Sequence, residues 1–381
     1  MSTDAVDVIF GLMAKQSTLS TFHKSNGAEF VERDAWLLPA HFGNSAAEYA
    51  AVRSAVGLMD LSYRGLLQLT GPDRLSFLQG MLSNDLRALK PFAGQYATLL
   101  SQQGKVIADV RVLCAMNSFY LDFLESLKEK ILAHLNRYLV ADEVEIADRS
   151  TEYAMLSVQG PQSEALLRKL VGQAELPAHS LQHAMVNVDA TAICAVYASH
   201  TGETGFDLIA PIASLPNIAQ RLTETGKKFS AAWVGEEAQN ILRIEAGIPR
   251  YGVDFTEDNL LLEVGLDHAV SFTKGCYLGQ EVVERIRSRG HVNKKLVGIT
   301  LEGQESASPR DVIVFVDKPV GTITSSVHSP ALGKPIALGY VNKDCWNPDT
   351  SLTVNHNGIL VGARVTDLPF VRLQKETVSS S

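Results

Sequence analysis

Residues 274–281 read KGCYLGQE, with Cys276 flanked by Gly275 and Gly279 and Lys274 two positions before it. The following residues, to Gly290, carry Val282, Val283 and Ile286 on one helical face and Glu281 with Arg285 as an i,i+4 pair. Arg287 and Arg289 fall in the last turn, and Gly290 stands where a helix stops. The spacing predicts a helix with Cys276 just ahead of it. A thiolate is favoured beside a lysine and near the positive end of a helix, and such a thiol is reactive or redox-sensitive. The other reading is a Gly-Cys turn in which cysteine is merely small. No His–Asp pair can be assigned to Cys276, so a protease-like triad is not supported.

Three other segments could do chemistry. In KVIADVRVL (105–113) the period of two places Val106, Ala108 and Val110 on one side and Ile107, Asp109 and Arg111 on the other. An acid on a strand beside a turn can protonate or orient a substrate nitrogen; the plainer alternative is a surface partner for Arg111. In HTGETGFDLIAP (200–211), Glu203 sits in a glycine-flanked turn. Its carboxylate could take an N–C–N edge with two hydrogen bonds, or the segment is a hydrophilic hairpin turn. RIRSRGHVNKK (285–295) gathers five basic residues and His291. It could hold a polycarboxylate tail or a run of RNA phosphates, although arginines at a helix C-terminus account for at least two of the charges.

The elements that must position these residues follow a repeat. LLQLTGPDRLSFL (66–78) and MLSVQGPQSEALL (155–167) are each an alternating strand, a Gly-Pro turn and the start of an amphipathic helix. Asp73 adds an acid at the positive end of the first of these helices. Residues 96–115 predict a hairpin around a turn ending at Gly104, and residues 126–140 a helix. From about residue 296 short strands alternate with Gly, Pro and Asn turns, the pattern of a small antiparallel barrel or sandwich. The expected class is α+β: modules over 1–150 and 151–295, the second ending in the KGCYLGQE helix, a barrel over 296–372, and a disordered tail over 373–381.

Composition sets the limits. The 381 residues are 46% hydrophobic and 20% charged, ordinary for a soluble globular chain. No apolar run approaches the roughly 18 residues of a membrane span, and the N-terminus lacks the basic region of a secretory signal. Four cysteines (Cys114, Cys194, Cys276, Cys345) stand singly, which argues against a disulfide framework or a structural metal site and fits a cytoplasmic setting. A net charge of −8 disfavours a general nucleic-acid surface.

These pieces occur together and in order. EYAAVRSAVGLMDLSYRGLLQLTGPDRLSFLQGMLSNDL, YATLLSQQGKVIAD, TGETGFDL and NILRIEAGIPRYGVDF resemble successive blocks of the glycine-cleavage T-protein (aminomethyltransferase) superfamily. FTKGCYLGQEVVERI resembles the signature of its YgfZ-type folate-binding branch. The resemblance implies a three-domain ring of two related ferredoxin-like modules and a β-barrel, with tetrahydrofolate in a central channel. By motif position it implies that Asp109 lies near the reacting folate nitrogen, that Glu203 grips the pterin and that Tyr96 lines the site. It also places Cys276 as the branch's functional cysteine at the channel mouth, framed by Lys274, Gly275, Tyr277, Gly279, Gln280 and Glu281. The branch implies support of iron–sulfur cluster assembly or repair, with client or assembly proteins as partners, in a monomer without membrane attachment. An aminomethyltransferase and a tRNA-modification accessory protein using 285–295 are the alternatives. Against the aminomethyltransferase stand three departures from its usual motifs: Ala108 in place of an acid, SYRG (62–65) in place of SHMG, and Gln239 in place of an arginine.

Overall fold

The computed structural model describes residues 14–290 and 292–372; the expected tail at 373–381 and His291 lie outside them. Both Gly-Pro units form as the sequence predicts. Strand Arg64–Thr70 leads into helix Arg74–Met81, and strand Tyr153–Gln159 into helix Ser163–Val171. Gly71 and Gly160 have φ of 99° and 123°, and a Cβ on either would run into a backbone carbonyl, of Glu143 and Ala55 respectively. Only glycine turns the chain there.

Each unit then continues in the same way. The first adds strands Gly94–Leu100, Val106–Cys114 and Phe119–Leu124, helix Lys128–Tyr138 and strand Glu145–Asp148. The second adds His183–Val188, Thr191–Tyr197, Gly205–Pro211, helix Leu215–Gly226 and Ala231–Trp233. In both sheets the second, third and fourth strands lie side by side, the first strand packs on the fourth, and the fifth is at the far edge. The shared order makes the two modules a structural duplication. One strand breaks the symmetry: Val56–Asp60 is inserted in the second sheet, antiparallel to Tyr153–Gln159 and parallel to Ala231–Trp233. A division of the chain at residue 150 therefore does not separate the two sheets. All five residues of this strand are buried, which suits a central position paired on both edges.

The sheets pack on each other through Leu66, Leu113, Met155, Val196 and Ile209. The core of the first module continues through Phe123 and Leu135 to Tyr277 and Val283 of the signature segment, and to Ile336 and Leu338 of the barrel. Six antiparallel strands from Lys294 to Thr366 close that barrel. A three-stranded sheet of Lys15–Gln16, Trp36–His41 and Glu29–Arg33, not anticipated from the sequence, packs on helix Glu236–Glu245. No helix among the described residues is long and apolar enough to cross a membrane.

Candidate functional site

The expected hairpin forms from Gly94–Leu100 and Val106–Cys114, with Thr98 paired to Asp109 and Tyr96 to Arg111. Alternation along the second strand buries Ala108 and Val110 in the core at 0% exposure and turns Asp109 and Arg111 the other way, as read from the period of two. There they help line a cavity of about 950 Å³. Its walls come from every unit: Arg33 of the small N-terminal sheet, Tyr96 and Asp109 of the first module, His200 and Thr201 of the second, Gln239 and Arg243 of helix Glu236–Glu245, and Lys295 and Val297 of the barrel.

Tyr96 Oη donates to Asp109 Oδ2. Burial and the neighbouring carboxylate push the Tyr96 hydroxyl well above its ordinary range, so it stays protonated and acts as a donor. Asp109 Oδ1 has no protein partner among the described residues. The Tyr96 ring stacks on His268, with centroids 5.1 Å apart and planes at 28°, and burial lowers the imidazole's pKa. The pair offers an aromatic wall beside an open carboxylate oxygen.

Arg111 does not serve Asp109. It pairs with Asp122 on the neighbouring strand of its own module and crosses the module interface to Asp207 at 2.5 Å, while Arg64 Nε takes the other oxygen of Asp122 at 2.5 Å. Asp207 also accepts from His200 Nε2 at 2.9 Å. Burial by itself raises the Asp207 carboxyl, but His200 and Arg111 outweigh it and hold the group well below the usual carboxylate range. This chain of charges, with Arg64, Arg111 and His200 all lining the cavity, escaped the sequence reading. The available signal was the inward phase of Arg111 and Asp207 on their strands, which carried no partner information.

Glu203 is placed differently from expectation. Its Oε1 accepts from Arg53 Nη1 at 3.0 Å, and the same guanidinium reaches Glu245 at 2.5 Å. Its neighbours His200 and Thr201 line the cavity, whereas Glu203 does not. Glu245 is fully buried and further accepts from Tyr49 Oη at 2.8 Å and from Ser329 of the barrel. Glu203 thus belongs to a tie between the second module, helix Ser45–Ser54 and the barrel.

The signature segment departs from expectation in two respects. The helix begins at Gln280, four residues beyond Cys276, so the thiol is not at its N-terminus. The Lys274 ammonium donates to three carbonyls, those of Gln79, Leu82 and Asn84, at 2.7 to 2.8 Å. All its protons are committed, and none is left to donate to the Cys276 thiol. Cys276 is exposed and is not part of the cavity wall. Tyr277 is buried against the first module, which pushes its hydroxyl up to about 12, and its ring lies 5.0 Å from the Lys274 ammonium. Gly275 has open space around it, and Glu281 pairs with Arg285 at 2.5 Å on the exposed face. The basic stretch 285–295 does not act as one patch: Arg287 covers the Phe272 ring at 4.5 Å, Lys294 covers Tyr340 at 5.0 Å, and Lys295 faces the cavity.

The family match agrees with this architecture. Residues 19–274 match the GCVT N-terminal domain, and residues 294–372 match the glycine cleavage T-protein C-terminal barrel domain. The chain belongs to the glycine cleavage T-protein family. It is similar to the aminomethyltransferase of Rubrobacter xylanophilus, 32% identical over 95% of both chains. The aminomethyltransferase of Bacillus subtilis is 31% identical over 94% of this chain and 100% of that protein. The fold is similar to the crystal structure of glycine cleavage system aminomethyltransferase T from Bartonella henselae, with a TM-score of 0.87 at 24% identity, over 94% of this chain and 98% of that one.

Membership in the T-protein family changes the weight of the three departures. Ala108 lies on the core face of its strand at 0% exposure, away from the cavity, so the missing acid there leaves the lining unaltered. Tyr63, Arg64 and Gln239 do line it. Arg64 is committed to Asp122, and Gln239 Nε2 donates to Val234 O at 3.1 Å.

Proposed function

We propose that this protein binds tetrahydrofolate in the central cavity and carries out one-carbon transfer of the aminomethyltransferase type. The observation that carries the folate reading is Asp109, with Oδ2 held by Tyr96 and Oδ1 open on a cavity of about 950 Å³, large enough for a ligand of drug size or more. The residues present fit the group: a flat heteroaromatic ring can lie along the Tyr96–His268 wall, and Asp109 can accept its N–H. Tetrahydrofolate supplies the nitrogen that takes up the one-carbon unit. Asp109 orients that nitrogen and holds its proton at Oδ1, while the neutral Tyr96 hydroxyl fixes the carboxylate. Glu203 contributes at one remove, by pinning Arg53 and so the wall made by Thr201. The names of the relatives support the transferase reading, and the core-facing position of Ala108 removes one argument against it.

Titration calorimetry with tetrahydrofolate tests binding; no heat, and no competition by a folate analogue, would refute it. Release of ammonia from an aminomethyl-lipoyl carrier on addition of tetrahydrofolate tests the transfer.

A second reading, support of iron–sulfur cluster assembly or repair, is favoured by Cys276: an exposed thiol in the KGCYLGQE segment, outside the folate cavity and accessible to a protein partner. Activity of cluster enzymes in cells carrying only Cys276→Ser tests it, and undiminished activity leaves the transferase reading alone.

A further inference from the structure

Lys274 is 5% exposed, and its three carbonyl partners, Gln79, Leu82 and Asn84, lie at the end of helix Arg74–Met81 and in the bend after it. The last carbonyls of a helix lack intrahelical donors, and an ammonium is the side chain that brings three donors to one point. An arginine fork would not converge on all three. The bend so held is joined to the cavity on its other side. Asn84 Nδ2 donates to the backbone oxygen of Tyr96 at 2.9 Å and to that of His268 at 3.0 Å. Ser83 reinforces the join: its Oγ donates to Ala269 O at 2.5 Å and accepts from Thr98 N at 2.9 Å. The two acceptors of the Asn84 amide are therefore the backbones of the two residues whose rings stack in the cavity wall.

We propose that Lys274 is a positioning residue for the ligand site, which fixes the backbone of Asn84 so that Asn84 sets Tyr96 and His268 against each other beside Asp109. The proposal rests on the reading of the cavity as a tetrahydrofolate site. It gives the lysine of the signature a role directed at the cavity instead of at Cys276, since no proton of its ammonium is left for the thiol.

The experiment compares Lys274→Met, Asn84→Ala and the double variant, in full-length protein, by tetrahydrofolate calorimetry, thermal unfolding and the rate of Cys276 alkylation by iodoacetamide. Each single change should weaken tetrahydrofolate about tenfold, or ~1.4 kcal/mol. The double variant should bind no more weakly than the weaker single, because the two residues act in series. Alkylation of Cys276 in Asn84→Ala should proceed at the wild-type rate. A lowered melting temperature with an unchanged dissociation constant would overturn the proposal by making the lysine merely structural, as would additive losses in the double variant. If Lys274→Met does not fold, Asn84→Ala decides alone, and wild-type affinity in it overturns the proposal. Absence of tetrahydrofolate binding in the wild type is a separate outcome, and it removes the folate reading itself.

Discussion

Gly104 and Gly279 meet where the turn of the first-module hairpin crosses the entry to helix Gln280–Arg289. Both have positive φ, 72° and 84°. A Cβ on Gly279 would stand 2.6 Å from Ser101 O, 2.9 Å from Leu100 Cβ and 3.4 Å from Gly104 Cα, and one on Gly104 would stand 2.9 Å from Val282 Cβ. The contact joins the two most distinctive stretches of the chain. One is the hairpin that carries Tyr96 and Asp109, and the other is the KGCYLGQE segment.

Gly279→Ala should accordingly destabilise the protein by about 1–3 kcal/mol, from left-handed backbone strain, before any cost of the approach to Ser101 O. Urea unfolding measures it. A midpoint within error of wild type would mean that the segment can withdraw from the hairpin without loss.

Asp109→Asn keeps the shape of the carboxylate but removes its charge. A hydrogen bond to a charged group is worth about 1.5–3 kcal/mol, so tetrahydrofolate affinity should fall by roughly tenfold to a hundredfold. Tyr96→Phe removes only the donor that fixes Oδ2 and should cost less, with the protein still folded. Equal affinity in all three proteins would place the ligand elsewhere.

Glu203→Gln should behave as a change in a structural tie. Its partner Arg53 keeps the buried Glu245, so thermal stability should drop while the tetrahydrofolate dissociation constant moves less than about twofold. A loss of affinity as large as that of Asp109→Asn would put Glu203 in direct contact with the ligand.

Cys276 is the exposed cysteine of the four; Cys114 and Cys345 are buried, and burial pushes the largely buried Cys194 thiol up to about 12. A thiol reagent applied to native protein should therefore modify one cysteine fast, and Cys276→Ser should abolish that phase without altering tetrahydrofolate affinity. Loss of affinity on this substitution would bring the thiol into the cavity, against its placement here.

The acid limb of stability should depend on Asp207. Its folded-state value lies below that of the unfolded chain, about 3.9. Its contribution is therefore complete above roughly pH 5 and is lost as the pH falls through 3.9 toward the lower folded value. Asp207→Asn should lower stability at pH 7 by about 3–5 kcal/mol by leaving Arg111 short of a partner. It should also flatten the decline between about pH 4 and pH 2. Parallel pH profiles for the two proteins would show that the charge chain does not depend on Asp207.

Sequence periodicity was enough for the two Gly-Pro units, the hairpin, helix Lys128–Tyr138 and the short strands of the C-terminal region, because each is a local pattern of apolar spacing and turn residues; that those strands close into a barrel and not a sandwich was not in the pattern. It was also enough for the phase of Asp109, since neighbours on a strand must face opposite sides. Strand Val56–Asp60 was illegible as a member of the second sheet: a short buried run does not state which strands it pairs with.

Partner choice was the main quantity that tertiary structure decided. The charges on Arg111, Glu203 and Lys274 were visible in the sequence. Whether Arg111 served Asp109 or bridged Asp122 and Asp207, and whether Lys274 faced Cys276 or three carbonyls, depended on groups 11 to 195 positions away in the chain. Hydrogen bonds and ion pairs act over about 3 Å, and only folding brings such groups within that range. The sequence alone determined the Gly-Pro units, the turn glycines and the inward carboxylate; the tertiary fold decided which strands each sheet holds, that the signature lysine supports the cavity wall and that its cysteine lies outside it.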